Sequence, residues 1–575
     1  MKNKITTGFW TIIIGSLFSM ASCSDMLEID SNAYLDTDKH RLDSPNDSLY
    51  SIVGILQQLQ QLGDRYVVLG ELRGELMEPT GNADMYLQEI ANFTANPANP
   101  YLSTREYYSI INNCNYFLQR VDTGIVSGGR KVMKGEYAVA KAIRAWTYLQ
   151  LVLNYGKAVY LTEPILSIED MNRDYPVWQP LQLMETLATD IADYLDVTIY
   201  PVYGGNLSGG SFIPGPLVAG DLFLWLGALT GNAMYYESAA SIYYRFIVDN
   251  YIRGGASDYV NRYTTSDFED VMSMRGGEQI SQIRYLTSAS ETLTLPSIVL
   301  LTFPEAPGSE AFQYMVKPSQ AAMNLWSNET YVYYSANREL FYTKGDLRGI
   351  CNQRYSDEPL GSYYYTDQDR TIPCISKYGY YLPDYYVLNI NPSVSLYRAG
   401  KLYLHYAEAL NALGKPSLAF AVLKYGLNNE ALRDSTKINP GEINPFPDYC
   451  DFREPRYSDG GFMSQTGMHT RGSGDVDRDT LYYSFREETL RENSEYYGFP
   501  AQLKTKQDSI LFVDAMICKE LGLETAFEGN RFHDLMRFAI RRGDNNFLAQ
   551  WVGRRNPALT GVLMNQDKWF LPTPE

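Results

Sequence analysis

Apolar residues recur at helical spacing in several separate stretches of the chain. Ala138, Ala142, Ala145, Leu149 and Val152 share one face, and Gly156 follows as a stop. Trp178-Gln179-Pro180 leads into a second amphipathic run through Leu183, Leu187, Ile191 and Leu195. Ile510, Val513, Ile517 and Leu521 form a third stripe, which the spacing ends at Gly522, and a further helix is predicted over about 531–542. Between the periodic stretches lie two long irregular regions, about 255–395 and 430–505, dense in Gly, Pro, Ser, Asp and Tyr. Loops that long inside a folded domain are functional or disordered, and their aromatic content argues against disorder.

Two of the helical stretches match each other. Measured from Ala228 and from Ala409, each has an aromatic at −3 (Trp225, Tyr406), Leu at +1, Ala at +12 (Ala240, Ala421) and Tyr at +16 (Tyr244, Tyr425). Small residues at 0 and +12 let two helices approach closely, with the aromatics filling the groove beside them. Leu413-Gly414-Lys415-Pro416 supplies a glycine stop and a proline for the next first turn. The spacing resembles the tetratricopeptide helix pair. The expected fold is mainly α, with such pairs forming a right-handed superhelical scaffold and the irregular insertions carrying minor β.

The N-terminus changes the picture. Lys2 and Lys4 precede an apolar run from Phe9 to Phe18, and the segment closes on Met20-Ala21-Ser22-Cys23. A basic start, a short apolar run and small residues at the end make a secretory signal, too short for the ~20 residues that span a bilayer. Cys23 after two small residues resembles a bacterial lipobox, whose thiol is acylated. The expected division is therefore a lipoprotein signal at 1–22 and one domain at 23–575. No later segment is apolar enough to cross a membrane. Charge is strongly acidic, with 49 Lys and Arg against 67 Asp and Glu, and the leader removes two lysines and no acid. That excludes nucleic acid, which needs clustered cations, and leaves acyl chains as the membrane anchor. Cys114, Cys351, Cys374, Cys450 and Cys518 show no CxxC spacing and read as structural thiols.

Four segments carry a family resemblance. Glu520, Glu524, Phe527-Glu528-Gly529, Arg531, Asp534-Leu535 and Arg537 resemble the C-terminal signature of the SusD/RagB family. Ala142-Ile143-Arg144-Ala145 with Tyr148 and Tyr155-Gly156 resembles its early helix. Leu402-Tyr403-Leu404 with Tyr406-Ala407-Glu408-Ala409-Leu410-Asn411 resembles its central helix, and Trp569-Phe570-Leu571-Pro572 its tail. Leu521 stands where the family usually has Arg, a departure that costs one structural ion pair. The resemblance implies a lipid-anchored, surface-facing outer-membrane protein that captures oligosaccharide, or sometimes peptide, for a SusC-like TonB-dependent transporter. It implies no enzymatic activity and no cofactor. The acidic run Ser24-Asp25-Met26-Leu27-Glu28-Ile29-Asp30 resembles the surface-export signal of such lipoproteins, and a solvated linker is the alternative.

A search for catalytic chemistry finds little. The four histidines, His40, His405, His469 and His533, have no metal-ligand spacing, and HExxH, GxSxG and phosphate-loop motifs are absent. Carboxylate pairs meet only in space, so a lipid-anchored surface glycoside hydrolase stays as the alternative, with a purely structural lid on the transporter as a third reading. Glu528 and Arg531 are expected to form a buried structural pair, and His405 to be a core residue. Asp475, Asp477 and Asp479 alternate like the start of a calcium loop, but Thr480 and Arg486 break the EF-hand pattern, leaving a solvated turn or a non-standard calcium site. What the chain offers instead is tyrosine, 48 in all against 23 Phe and 7 Trp. A flat apolar face with a polar tip suits stacking against sugar rings. Tyr86, Trp326 and Tyr333 are the named platform candidates, with Asn82 and Asp84 as polar partners.

Overall fold

The computed structural model describes residues 42, 45–127, 130–131, 133–195, 209–250, 278–285, 297–302, 313–334, 340–346, 348–349, 362–367, 370–375, 377–382, 387–390, 393–452, 467–473 and 503–574. The signal, Cys23, Cys351 and the Asp475–Asp479 run lie outside the described residues. So does the side chain of Tyr333.

The scaffold is helical. Its principal helices are α1 (Pro45–Glu71), α2 (Met85–Ala91), α3 (Arg105–Arg120), α4 (Lys134–Tyr155), α5 (Pro180–Ala192), α6 (Gly215–Thr230), α7 (Ala233–Asp249), α8 (Gln320–Ser327), α9 (Ala399–Ala412), α10 (Pro416–Lys424), α11 (Lys506–Thr525), α12 (Arg531–Arg542) and α13 (Asn545–Gly553). The two matched stretches fold as the pairs α6–α7 and α9–α10, and α7 packs on α9, so the pairs adjoin. Ala228, Ala240, Ala409 and Ala421 are all buried at these helix contacts. Gly156 and Gly414 end α4 and α9 at φ +71° and +73°, where a side chain would be strained, and Pro416 opens α10. The tetratricopeptide-like reading of these stretches holds.

One boundary differs. α11 runs on through Gly522 to Thr525. A Cβ at 522 would stand 3.0 Å from Leu325 and 3.3 Å from the Arg531 guanidinium. Gly522 thus gives room for neighbours and does not stop the helix.

The strands are short antiparallel pairs. β1 (Met77–Pro79) pairs with β3 (Val316–Pro318), and β2 (Gln279–Arg284) pairs with β10 (Ser393–Arg398), which leads directly into α9. Between them lie the hairpins β4–β5 (Thr330–Tyr334 and Leu340–Lys344), β6–β7 (Ser362–Asp367 and Arg370–Ile375) and β8–β9 (Gly379–Leu382 and Val387–Ile390). The 255–395 insertion is therefore β-rich where described, and β1–β3 and β2–β10 tie it back to the helical body. A continuous core runs from α1 to the tail, and Trp569 is fully buried in it. Cys114, Cys374, Cys450 and Cys518 are buried and form no disulfide among the described residues. Burial pushes the Cys114 and Cys518 thiols up to about 12, as inert structural thiols require. Among the described residues no helix is long and apolar enough to cross a membrane.

Candidate ligand-binding surface

The early loop holds Asn82, Asp84 and Tyr86 together on one stitched surface. Thr80 follows β1 and its N–H donates to Met315 O at 2.8 Å, while its hydroxyl donates to Tyr314 O at 2.5 Å. The Asn82 amide donates to Gln313 O at 3.2 Å, so the loop is pinned to a stretch more than two hundred residues away. Asp84 caps α2, its Oδ1 accepting from Leu87 N at 2.8 Å. From below, Asn99 donates to Tyr86 O at 3.0 Å and to Glu89 Oε2 at 3.0 Å. Asn82 is exposed, and Asp84 and Tyr86 are half-buried. The amide, the carboxylate and the aromatic ring thus sit on a held backbone, each partly open.

Two further aromatics belong here. Burial, with the Asp84 and Asp64 charges adding to it, pushes the half-buried Tyr101 hydroxyl up to about 12, so it stays a neutral donor near Asp84. Tyr314 takes φ +45° and donates its hydroxyl to Pro373 O at 2.6 Å, joining the early loop to β7. Neither was legible beforehand. Tyr101 follows Asn99-Pro100, a turn signal that could have drawn it in, whereas Tyr314 sits in a stretch without any pattern.

Trp326 is corrected. It lies in α8, fully buried, with its indole N–H donating to Leu523 O at 3.3 Å and its ring 5.8 Å from that of Phe527. With no exposed face it offers no platform to a sugar and serves as a wedge between α8 and α11. The Tyr333 backbone pairs with Phe341 across β4–β5.

The acidic residues of the C-terminal block are structural, with partners other than those expected. Glu528 and Arg531 do not pair with each other. Glu528 accepts from Lys377 at 2.5 Å and Arg398 at 2.8 Å, while Arg531 donates to Glu75 at 2.8 Å. Glu524 accepts from Arg348, Arg398 and Arg471 at 2.9, 2.5 and 2.8 Å. Burial opposes ionisation of Glu524, but the three guanidiniums outweigh it and hold the carboxyl well below its usual range. Glu520 pairs with Arg348 at 2.6 Å and His469 at 2.9 Å, so the missing arginine at 521 leaves it with a guanidinium partner drawn from the insertion. Burial likewise pushes Glu520 up, and Arg348 with His469 more than offset that, leaving it at about 2.

A second buried cluster joins the family-like segments. Arg537 bridges Glu408 of α9 at 2.7 Å and Asp534 at 2.8 Å. His405 meets Asp221 at 2.9 Å, and Tyr243 and Tyr397 also donate to that carboxylate. Burial lowers His405, but Asp221 prevails and raises it above its usual value. Arg73 donates to Trp569 O and to Asn154, and Leu571 N to Asn154 O, seating the tail against α4. These carboxylates are committed to buried cations, and neither cluster has a free acid–base pair facing solvent. Among the described residues no cluster has metal-ligand geometry.

The fold has solved counterparts. A SusD superfamily protein from Bacteroides thetaiotaomicron superposes with a TM-score of 0.55 at 16% identity, over 93% of this chain and 96% of that one. The chain has the SusD-superfamily fold. B. fragilis NanU superposes at 0.52 with 14% identity, over 90% of this chain and 93% of that one. Surface glycan-binding protein A from Bacteroides fluxus superposes at 0.51 with 14% identity, over 92% and 96%. No protein-family model matches the sequence, and no curated protein matches it. At these identities the SusD-like likeness is one of architecture.

Proposed function

We propose that this chain is a SusD/RagB-type nutrient-binding lipoprotein. It captures oligosaccharide on the surface built by Asn82, Asp84, Tyr86, Tyr101 and Tyr314, without cleaving it. The observation that carries the reading is the superposition, along nearly the full length of both chains, on a SusD superfamily protein and on a surface glycan-binding protein. Tyr86 and Tyr101 supply ring faces for sugar C–H groups, and Asn82 and Asp84 supply hydrogen bonds to hydroxyls. Because the loop is already hydrogen-bonded to Gln313 and Tyr314, little ordering entropy is spent on binding.

In this reading residues 1–22 are a lipoprotein signal and Cys23 carries the lipid that holds 23–575 at the outer face of the outer membrane. A SusC-like TonB-dependent transporter receives the ligand, which a peptide can replace if its side chains stack on the same rings. The reading assigns no role to a cofactor. Two variants test it. Tyr86→Ala weakens oligosaccharide binding by about tenfold, the share of one stacked ring and its contacts, in a titration with unchanged thermal midpoint. Cys23→Ala moves the protein from the membrane fraction to the soluble fraction while leaving ligand affinity intact. Unchanged binding by Tyr86→Ala sinks the surface assignment, and membrane retention of Cys23→Ala sinks the anchor.

A further inference from the structure

A second opening lies where the C-terminal tail rests on the end of α4. It encloses about 440 Å³ and is walled by Phe93 just after α2, Tyr155 and Lys157 at the end of α4, and Asp567, Lys568 and Phe570 in the tail. That volume falls within the range of roughly 300–1,000 Å³ of small-ligand sites. Its walls are fixed. The Tyr155 hydroxyl donates to Leu102 O at 2.8 Å, and Leu571 N donates to Asn154 O at 2.8 Å. The Phe570 ring lies so close to Gly156 that a Cβ there would stand 3.0–3.2 Å from its carbons.

Phe93 is the unusual member. A bulky side chain at φ +58° is strained, and such strain persists where the surroundings over-determine it, often at ligand clamps. Here the ring is held 5.4 Å from that of Phe532. Phe93 and Phe570 are each half-buried, so both keep ring surface open. Lys157 and Lys568 are exposed and have no ion-pair partner among the described residues. In a chain with 67 acids against 49 bases, an aromatic-lined cavity whose walls hold two lysines against the single carboxylate of Asp567 is a local reversal of charge.

We propose that this cavity is a second sugar site, selective for a unit that carries an anionic group, either carboxylate or sulfate. The inference rests on the glycan-binding reading above. The lysines donate charge-assisted hydrogen bonds to the anion, and the phenyl rings take the C–H face of the sugar. Asp567 accepts from the ring hydroxyls and disfavours a bare inorganic anion, which has none to offer.

Titration calorimetry of the purified protein tests this with tri-galacturonate, its carboxyl-reduced neutral form, a 6-sulfated disaccharide and inorganic sulfate. Tri-galacturonate binds at least about tenfold tighter than the neutral form. Lys157→Ala with Lys568→Ala removes that preference, Lys157→Arg with Lys568→Arg keeps it, and Tyr86→Ala leaves it alone. Lysine-dependent binding of the sulfated sugar assigns sulfate as the anion, and binding of the uronate alone assigns carboxylate. Equal binding of acidic and neutral forms, a preference that survives the double alanine, or inorganic sulfate binding as well as the sugars overturns the proposal. Neutral-glycan binding that falls with Tyr86→Ala, with no acidic preference, leaves the main surface standing and this cavity refuted. Lysine-dependent acid binding without neutral binding does the reverse.

Discussion

At the scale of the residue, the Glu524 carboxylate stands out, because Arg348, Arg398 and Arg471 all converge on it and none of the four side chains is more than 3% exposed. Removing one member of such a cluster leaves buried charge uncompensated, which costs about 3–5 kcal/mol. Glu524→Ala is expected to lower the free energy of unfolding by that amount, read as a lower urea midpoint with an unchanged slope, and an effect under ~1 kcal/mol would contradict the assigned role. Glu520 gives a pH test of the same cluster. Its folded-state value of about 2 lies below the ordinary 4.5, so its stabilisation is full above pH 4.5 and is lost as pH falls toward 2. The stability difference between wild type and Glu520→Gln should therefore be constant above pH 4.5 and shrink below it, and a difference that grows on acidification would refute the pairing. These partners were not legible in the sequence. Glu520 and Glu528 were recognisable as structural, but their partners Arg348 and Lys377 come from the insertion, where nothing local announces a partner. Trp326 was misjudged for a similar reason, since an aromatic in a non-helical-looking stretch reads the same whether exposed or buried. The helical spacing of Ala322, Leu325 and Trp326 behind the Ser319 cap was the signal that could have shown it as core.

Among the elements, α1 and α12 meet at a backbone contact. A Cβ at Gly70 would lie 1.8 Å from Gly529 O, and the neighbouring Glu71 carboxylate accepts from the N–H groups of Phe527, Gly529, Asn530 and Arg531. One helix end thus caps the start of another. Gly70→Ala forces α1 away from this cap and is expected to cost at least about 1–3 kcal/mol, the range of overpacking. Gly54→Ala in the same helix, with nothing within 4 Å, should gain roughly 0.5–1 kcal/mol. Thermal melts of the two variants in opposite directions bear out the contact, and equal effects refute it. The helix pairs were readable because their pattern is local: Ala228 and Ala240, or Ala409 and Ala421, sit within one turn-joined unit. The α1–α12 contact was not, because Gly70 and Gly529 are far apart in the chain and neither has a side chain to betray its neighbour.

In the whole molecule, the helical body acts as a frame on which the β-rich insertion and the early loop are mounted. The insertion is anchored at several places, among them β1–β3, β2–β10 and the ion cluster around Glu524. Fixing it there holds Tyr314 against the loop that carries Asn82, Asp84 and Tyr86. Overall architecture was legible from the repeat and the C-terminal block, whereas the ligand surface was only half so. Its early-loop members lay close together in the chain, while Tyr314 reaches them only through the fold.

The most direct test of the central claim is affinity electrophoresis of the purified protein through gels containing a panel of polysaccharides, with reducing ends assayed in the same lanes. The account predicts retardation by at least one polysaccharide, relieved by Tyr86→Ala, with no rise in reducing ends. Catalytic release of reducing ends, or mobility unchanged across the panel, would contradict it.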